Sequence, residues 1–395
     1  MPRPQLDYLA DEMTALAAKG LHFELRVLQG EQRPRAVFDG RSVINLSSNN
    51  YLGLTTHPKL RQAALQAIER YGVGSGAVRT ISGTMDLHMD LERQIAAFKH
   101  TEAAVVFQSG FTANSGTVSA ILGREDYIIS DQLNHASIID GARLSRATIK
   151  VFPHKDVAAA EQILRELAPL PGRKLLITDG VFSMDGDIAP LPALCDIAER
   201  HGAIMMVDDA HASGVLGRQG RGTVDHFQLH GRVDIQVGTL SKAIGALGGY
   251  VCGRRELIDF LYHRGRPFLF STSHPPSVAA TCQAAFHVLA EEPQHMERLW
   301  DNTRYFKAAL QQLGFDTGLS ETPITPIMVG ASRRAMEFSR ALFEQGLFAT
   351  AVAHPTVPEG SARLRTIVTA THSRADLDEA LGILERVGRG MNILS

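Results

Sequence analysis

Short apolar runs alternate with segments of helical periodicity between about residue 57 and residue 270, and this alternation constrains the fold more than any other feature. Several runs are continuous, with no period of two, which is typical of parallel strands buried on both faces. The pattern predicts an α/β fold with a three-layer αβα major domain and a mainly parallel, seven-stranded sheet. The predicted strands cover 104–108, 127–130, 149–152, 174–178, 203–207, 235–238 and 248–252. The predicted helices between them include 86–98, 111–122, 157–168 and 190–201.

The two flanks of this region have different patterns. Residues 1–50 are predicted to form an N-terminal arm with a short amphipathic helix at 6–19. The major domain is predicted to span residues 51–285. Residues 286–395 are predicted to form a smaller α+β domain, because long helical patterns there flank short strand candidates. These helices are predicted at 294–313, 332–346 and 374–389, and the strands at 325–329 and 363–368.

Composition and charge argue against several kinds of partner. The 40 basic and 42 acidic residues give a formal net charge of −2, so no basic field favours nucleic acid or an anionic membrane. No window approaches 18 uninterrupted apolar residues, and the first residues lack the apolar core of a secretory signal. The three cysteines form neither a disulfide nor a metal-binding pattern. We therefore expect a cytoplasmic protein with no nucleic-acid partner, no membrane partner and no metal.

Polar residues follow the predicted strand at 203–207, and ligands of open parallel sheets bind beyond the carboxyl ends of the strands. Asp208 stands directly after this strand, and His211 follows three residues later. Two interpretations stay open for Asp208 taken alone. It could cap the next helix, or it could bind a metal together with His211 and His135.

Lys242 decides between these interpretations. Most lysines lie on the surface, but this one follows an apolar strand and precedes the small residues of 243–249. We expect it to lie in the cleft, where desolvation lowers the pKa of its amine and makes it nucleophilic. A strand-end aspartate 34 residues before a strand-end lysine suits pyridoxal 5′-phosphate (PLP). The lysine would form the Schiff base, and the aspartate would keep the pyridine nitrogen protonated.

A phosphate group needs its own binding site. The predicted strand at 104–108 runs into the small residues of 109–114, which open a helix. Backbone N–H groups at such a turn, together with the helix dipole, attract anions, although many turns of this kind bind nothing. Thr239 and Ser241 offer hydroxyl groups to the same phosphate.

Several motifs together resemble the α-oxoamine synthases, a PLP-dependent family of fold type I. They are SNNYLG, QSGFTAN, DQLNHASIIDG, DGVFSMDGD, VDDAH and TLSK, and they occur in the family's order. The resemblance covers roughly residues 5–393. It implies PLP as cofactor, an amino acid and an acyl-CoA as substrates, and a homodimer with shared active sites.

The resemblance also assigns roles to residues. It implies that Lys242 holds PLP and removes the substrate Cα proton, that Asp208 pairs with the pyridine nitrogen, and that His135 stacks on the ring. The remaining roles are as follows: His211 and Ser183 bind the phenolic oxygen, Gly110, Phe111 and Thr239 bind the phosphate, Thr272 reaches the partner subunit's phosphate, Asn49 and Arg365 bind the substrate carboxylate, and Ser75 lies near the cofactor edge.

Alternatives stay open at three of these positions. His135 could be a surface or helix-capping histidine. Strand alternation places Arg363 and Arg365 on one face, so spacing alone cannot choose between them, and either could form a surface salt bridge. The glycine-rich segment 71–80 that contains Ser75 could be a plain flexible loop. It is not a phosphate-binding P-loop, because no G-K-[ST] follows it.

The resemblance implies a C–C bond-forming condensation that releases CoA. The segments NHASIIDGARLS and GRVDIQVGTLSKA look closest to 2-amino-3-ketobutyrate ligases, so we expect glycine and acetyl-CoA to give 2-amino-3-ketobutyrate. The alternative is condensation of L-alanine with pimeloyl-CoA, with loss of CO₂, to give 8-amino-7-oxononanoate. An added methyl group changes binding by only about 1–3 kcal/mol, so cross-reactivity is expected. A metal-dependent hydrolase or a non-catalytic PLP-fold protein would be the other classes.

Overall fold

The computed structural model describes residues 4–18, 22 and 25–394. Its N-terminal part contains the helix α1 (Tyr8–Ala18), which has no buried residue, and the hairpin strands β1 (Arg35–Phe38) and β2 (Arg41–Asn45). Residue 19, the last of the predicted helix at 6–19, lies outside the described residues.

A mainly parallel sheet forms the centre of the described structure, as the apolar runs predict. Its strand order is β3-β9-β8-β7-β6-β4-β5, and only β9 runs antiparallel to its neighbours. The seven strands are β3 (Ala103–Phe107), β4 (Tyr127–Asp131), β5 (Thr148–Phe152), β6 (Lys174–Asp179), β7 (Ile204–Asp208), β8 (Ile235–Thr239) and β9 (Gly249–Gly253). Each predicted strand of the sheet lies within one residue of an observed one.

Helices cover both faces of this sheet, which gives the predicted three layers. Alternate side chains of β3 illustrate the arrangement: Ala104 and Val106 pack into one core, and Val105 and Phe107 pack into another on the opposite face. The helices of this region are α2 (Pro58–Tyr71), α3 (Asp86–Lys99), α4 (Gly110–Ile121), α5 (Ala136–Ser145), α6 (Val157–Leu167), α7 (Leu191–His201), α8 (Thr223–His226), α9 (Arg255–Arg264), α10 (Arg266–Leu269) and α11 (Pro276–Glu291).

The C-terminal part combines helices with a small antiparallel sheet of order β10-β13-β12. Its elements are α12 (Gln294–Leu313), β10 (Ile324–Gly330), α13 (Ser332–Glu344), β11 (Leu347–Phe348), β12 (Thr350–Val352), β13 (Ala362–Ile367) and α14 (Arg374–Gly390). The predicted helices and strands of this region match these within two residues.

The N-terminal hairpin packs against the C-terminal part of the chain. Strand β2 pairs in parallel with β11, in the register Leu347↔Ile44, and Ile44 and Leu46 join the same core as Leu364. The predicted boundaries at residues 50 and 285 stay predictions. Within the described residues, no helix is both long and apolar enough to span a bilayer.

Candidate active site

The carboxyl ends of β4, β6, β7 and β8 meet at one edge of the sheet. The register of β6 and β7 places Asp179 opposite Asp208, and Asp208 lies opposite Val237 of β8. A cavity of about 190 Å³ lies at this edge. Its lining consists of Ser109, Gly110, Phe111, His135, Ser137, Asp179, Val181, Ser183, Asp208, Ala210, His211, Thr239, Ser241 and Lys242.

Lys242 lies three residues beyond the end of β8 and reaches back to the turn after β7. Its Nζ lies 2.8 Å from Nε2 of His211, and Nδ1 of that histidine lies 2.7 Å from the Tyr51 hydroxyl. Burial lowers the pKa of Lys242 to about 8, although the Asp208 and Asp179 charges act in the opposite direction. Burial also lowers the pKa of His211 well below its usual value, and the Lys242 charge adds to this effect. The site therefore holds a neutral imidazole next to an amine that loses its proton readily.

Asp208 is buried and fixed from two sides. Nδ2 of Asn114 donates to one carboxylate oxygen at 2.5 Å, and the backbone N–H of Ala210 donates to the other at 2.8 Å. Asn114 lies one turn into α4, on the face of that helix which points towards the sheet, and it is itself buried. The two donors fix the position of the Asp208 carboxylate at the cavity.

His135 and Asp179 form a second polar group in the cavity. The backbone N–H of His135 donates to the Asp179 carboxylate at 3.1 Å, and Nδ1 of His135 lies 2.7 Å from the Ser137 hydroxyl. Burial raises the pKa of Asp179 well above its usual value, and the nearby Asp208 charge adds to this. Burial lowers the pKa of His135, so its ring is a neutral, flat surface in the cavity wall.

An anion site lies at the start of α4. Ser109 caps this helix, since its Oγ accepts from the backbone N–H of Thr112 at 3.1 Å, and the N–H groups of Gly110 and Phe111 have no partner within the helix. The hydroxyls of Thr239 and Ser241 lie 2.8 Å apart across the cavity. Gly249 allows strand β9 to lie close to the start of α4, because a Cβ there would lie 2.3 Å from the Ser109 carbonyl oxygen.

These groups fit PLP in kind and in arrangement. The cavity presents one amine of low pKa, one carboxylate held in place by two hydrogen-bond donors, one flat neutral imidazole and one helix N-terminus flanked by hydroxyl groups. These are the groups that would bind its aldehyde carbon, ring nitrogen, ring face and phosphate.

The structure separates Arg365 from Arg363. Arg363 forms an ion pair with Asp185. Both Nη atoms of Arg365 lie 3.2 Å from Oδ1 of Asn49, and its Nε donates to the Ser183 carbonyl oxygen. In the described part of the chain, no ion pair involves Arg365. Burial lowers its pKa, and its charge acts on Lys242 and His211, so it lies beside the cavity.

Ser75 and Thr272 lie together but outside the cavity lining. The Ser75 hydroxyl donates to the Ser273 carbonyl oxygen at 3.1 Å, and Val78 forms an antiparallel bridge with Thr272. Nε2 of Gln108, next to the start of α4, donates to the Thr272 carbonyl oxygen at 2.8 Å. The roles predicted for these two residues stay predictions.

Comparison with known proteins identifies the family. The model of the aminotransferase class I and II family matches residues 41–384. The chain belongs to this family. Two curated relatives are named 8-amino-7-oxononanoate synthase. The protein from Symbiobacterium thermophilum is 59% identical over 98% of this chain and 99% of its own length, and one from Bacillus subtilis is 54% identical over 99% of both.

Solved structures extend the similarity to the whole fold. A serine palmitoyltransferase from S. paucimobilis with bound PLP superposes with a TM-score of 0.93 at 33% identity and 99% coverage of both chains. The chain is a PLP-dependent enzyme of the α-oxoamine synthase type with fold type I, which confirms the predicted family, fold, cofactor and acyltransferase class. The expected pairing of glycine with acetyl-CoA finds no support among these relatives.

Four residues of the site received no role from the sequence. Tyr51 and Asn114 stand inside recognised motifs, and Ser137 follows His135 by two residues. Asp179 ends β6, so the same strand-end argument that identified Asp208 applies to it. The signal for Asn114 is its spacing of one helical turn from Gly110.

The metal alternative at Asp208, His211 and His135 has no structural support. Both ring nitrogens of His211 already face Tyr51 and Lys242. Among the described residues, a group with metal-ligand spacing occurs elsewhere, at His57, Glu292 and His295. Nδ1 of each of these histidines accepts a hydrogen bond, from Lys59 or Arg298, so each Nε2 carries a proton towards Glu292 and cannot bind a metal in this tautomer.

Proposed function

We propose that this chain is an 8-amino-7-oxononanoate synthase, which joins L-alanine to pimeloyl-CoA and releases CoA and CO₂ in biotin biosynthesis. The observation that carries the proposal is the near full-length identity of 59% and 54% to relatives of that name. The expectation of glycine and acetyl-CoA is replaced by the alternative that the sequence left open.

The guanidinium of Arg365, which forms no ion pair in the described part of the chain, supports an amino-acid substrate. A buried cation without a carboxylate partner is costly, and its planar fork suits a carboxylate ligand. Asn49 holds the two Nη atoms from one side, and the Ser183 carbonyl holds Nε. We therefore assign the alanine carboxylate to Arg365 and Asn49, whereas Arg363 is already neutralised by Asp185.

Lys242 is the proposed base for the Cα proton. PLP, when bound, supplies an electron sink that makes the Cα–H bond of an amino acid acidic. With a pKa of about 8, about a tenth of Lys242 Nζ is free amine at pH 7, and this form can accept that proton. His211 receives a hydrogen bond from this Nζ and fixes its position. Asp208 would hold the proton on the pyridine nitrogen.

The bond changes balance with the uptake of one proton from solvent. A C–C bond forms between alanine Cα and the pimeloyl carbonyl carbon, and the C–S bond of the thioester breaks. The CoA thiolate takes up a proton, the alanine carboxylate leaves as CO₂, and Cα regains a proton. Lys242 is the group placed to carry the proton at Cα in both directions.

Exposed apolar side chains near the cavity support a homodimer with shared sites. Val73, Ile81 and Phe270 are exposed by 78%, 81% and 71%, and they lie in the two segments that the bridge between Val78 and Thr272 joins. Thr272, two residues from Phe270, is the proposed donor to the partner subunit's phosphate site. Mixing Lys242→Ala chains with Thr272→Ala chains tests this, because heterodimers should regain one intact site and show activity that neither parent has.

The substrate assignment is tested by CoA release from two pairs of substrates at equal concentrations. L-alanine with pimeloyl-CoA should react with a kcat/KM at least tenfold above that of glycine with acetyl-CoA. Detection of 8-amino-7-oxononanoate by mass spectrometry identifies the product. If glycine with acetyl-CoA were the better pair, the proposed function would be replaced by the 2-amino-3-ketobutyrate ligase activity.

A further inference from the structure

His154 lies between two carboxylates below the cavity wall. Its Nδ1 lies 3.0 Å from Oδ1 of Asp131, and its Nε2 lies 2.9 Å from Oδ2 of Asp187. Both aspartates are buried, and the histidine is half-buried. An imidazole ring can donate from both nitrogens only when it is protonated. The contacts therefore select the charged imidazolium.

Two further side chains pack around this cluster. Lys155 Nζ lies 3.0 Å from Asp187 and 3.6 Å from Glu321, and the Phe182 ring packs edge-on against the imidazole with a centroid distance of 4.3 Å. Burial alone would lower the pKa of His154, but the hydrogen bonds to Asp131 and Asp187 outweigh it and raise the pKa to about 9.

Each of the two aspartates belongs to one loop of the active site. Asp131 ends β4, and its Oδ1 also accepts from the backbone N–H of Leu133 at 2.9 Å, which fixes the turn that leads to His135. Asp187 closes the loop after β6, because its carbonyl oxygen accepts from the Phe182 N–H at 3.1 Å. Val181 and Ser183 of that loop line the cavity. His154 thus links the loop that contains His135 to the loop that contains Ser183, through its contacts with Asp131 and Asp187.

We propose that His154 is a positioning residue which, as a cation, clamps these two loops in the geometry that binds the cofactor, and that its deprotonation at alkaline pH releases them. It touches neither cofactor nor substrate. The inference concerns the PLP site of the family and does not depend on which acyl-CoA is used.

The direction of the pH effect follows from the raised pKa of His154. His154 has a higher pKa in the folded protein, about 9, than the ordinary value of about 6.5. Its contribution to the folded arrangement is therefore complete below about pH 6.5 and is lost as the pH rises through about 9. Loss of the clamp should appear as weaker PLP binding and as a more mobile loop at 180–188.

The test compares wild type, His154→Gln and His154→Arg. PLP affinity is measured by equilibrium dialysis between pH 7 and pH 10, and hydrogen exchange of the peptide 180–188 is followed in the cofactor-free protein as a protection factor. At pH 7, His154→Gln should bind PLP about tenfold more weakly, which corresponds to 1.4 kcal/mol. His154→Arg should restore most of the affinity and remove the added pH dependence, because its guanidinium stays charged.

The control is His201→Gln, which removes a histidine of α7 that contacts Glu161 of α6 and does not line the cavity. This variant should keep wild-type PLP affinity and loop protection. Comparison of wild type with His154→Gln isolates His154 from Lys242, which titrates in both. If PLP affinity and loop protection of the two proteins fall in parallel from pH 7 to pH 10, or if His154→Gln binds PLP as wild type does, the clamp is refuted. Neither readout depends on turnover, so a failed substrate assignment leaves this test intact.

Discussion

The exchange Tyr51→Phe removes one oxygen atom from the core of the site and keeps the volume of the ring. Tyr51 is only 1% exposed, and its hydroxyl lies 2.7 Å from Nδ1 of His211. When Lys242 is protonated it donates to Nε2, so the imidazole proton must lie on Nδ1 and point at the Tyr51 oxygen. The variant therefore leaves a buried N–H group without an acceptor.

The size of the effect follows from that unpaired group. An unsatisfied buried donor costs about 1–3 kcal/mol. If this cost is relieved by a rotation of His211 away from Lys242, the base loses its orientation in the reaction. A barrier higher by this amount slows the reaction about 5- to 150-fold. We expect kcat to fall about tenfold, within that range.

Steady-state CoA release measures this effect, and thermal unfolding shows whether the cost falls on folding instead. The matched control is Tyr262→Phe, which removes a half-buried hydroxyl that donates to Glu92 at 2.9 Å, away from the cavity. This control should destabilise the protein by a similar amount and leave kcat unchanged. A Tyr51→Phe enzyme that unfolds at a lower temperature but turns over at the wild-type rate would show that Tyr51 serves only the fold.

Four further outcomes are expected at the cavity. Lys242→Ala should abolish CoA release and the covalent attachment of cofactor by borohydride, as seen by mass spectrometry. Asp208→Asn should slow the exchange of the alanine Cα proton in D₂O about hundredfold by NMR, because the fixed negative charge is lost. Arg365→Lys should raise the KM for alanine about tenfold, whereas Arg363→Lys should change it far less. Because Lys242 acts as a free amine in the substrate complex, kcat should fall about tenfold per pH unit below about pH 8 in a pH–rate profile.

The strand ends could be predicted because they depend on a pattern local to each segment. A continuous apolar run specifies a buried parallel strand, and the sheet then brings all its carboxyl ends to one edge. Asp208, Lys242 and His135 were found in this way, and the structure places all three in one cavity. Asp179 satisfies the same rule. It directly follows the predicted strand at 174–178, so the rule is sufficient to identify it from the sequence.

The partners across the site could not be predicted in this way, because they depend on distances between segments far apart in sequence. Tyr51 reaches His211 over 160 residues, and Arg365 contacts Asn49 over 316. The choice between Arg363 and Arg365 shows the limit clearly. Both have the same alternation and the same charge, and only the position of Asp185 makes one an ion pair and leaves the other free for a substrate carboxylate. Whether an arginine lacks an ion-pair partner thus depends on the packed fold. The lack of such a partner at Arg365 in the described part of the chain, more than the residue type, points to the amino-acid site.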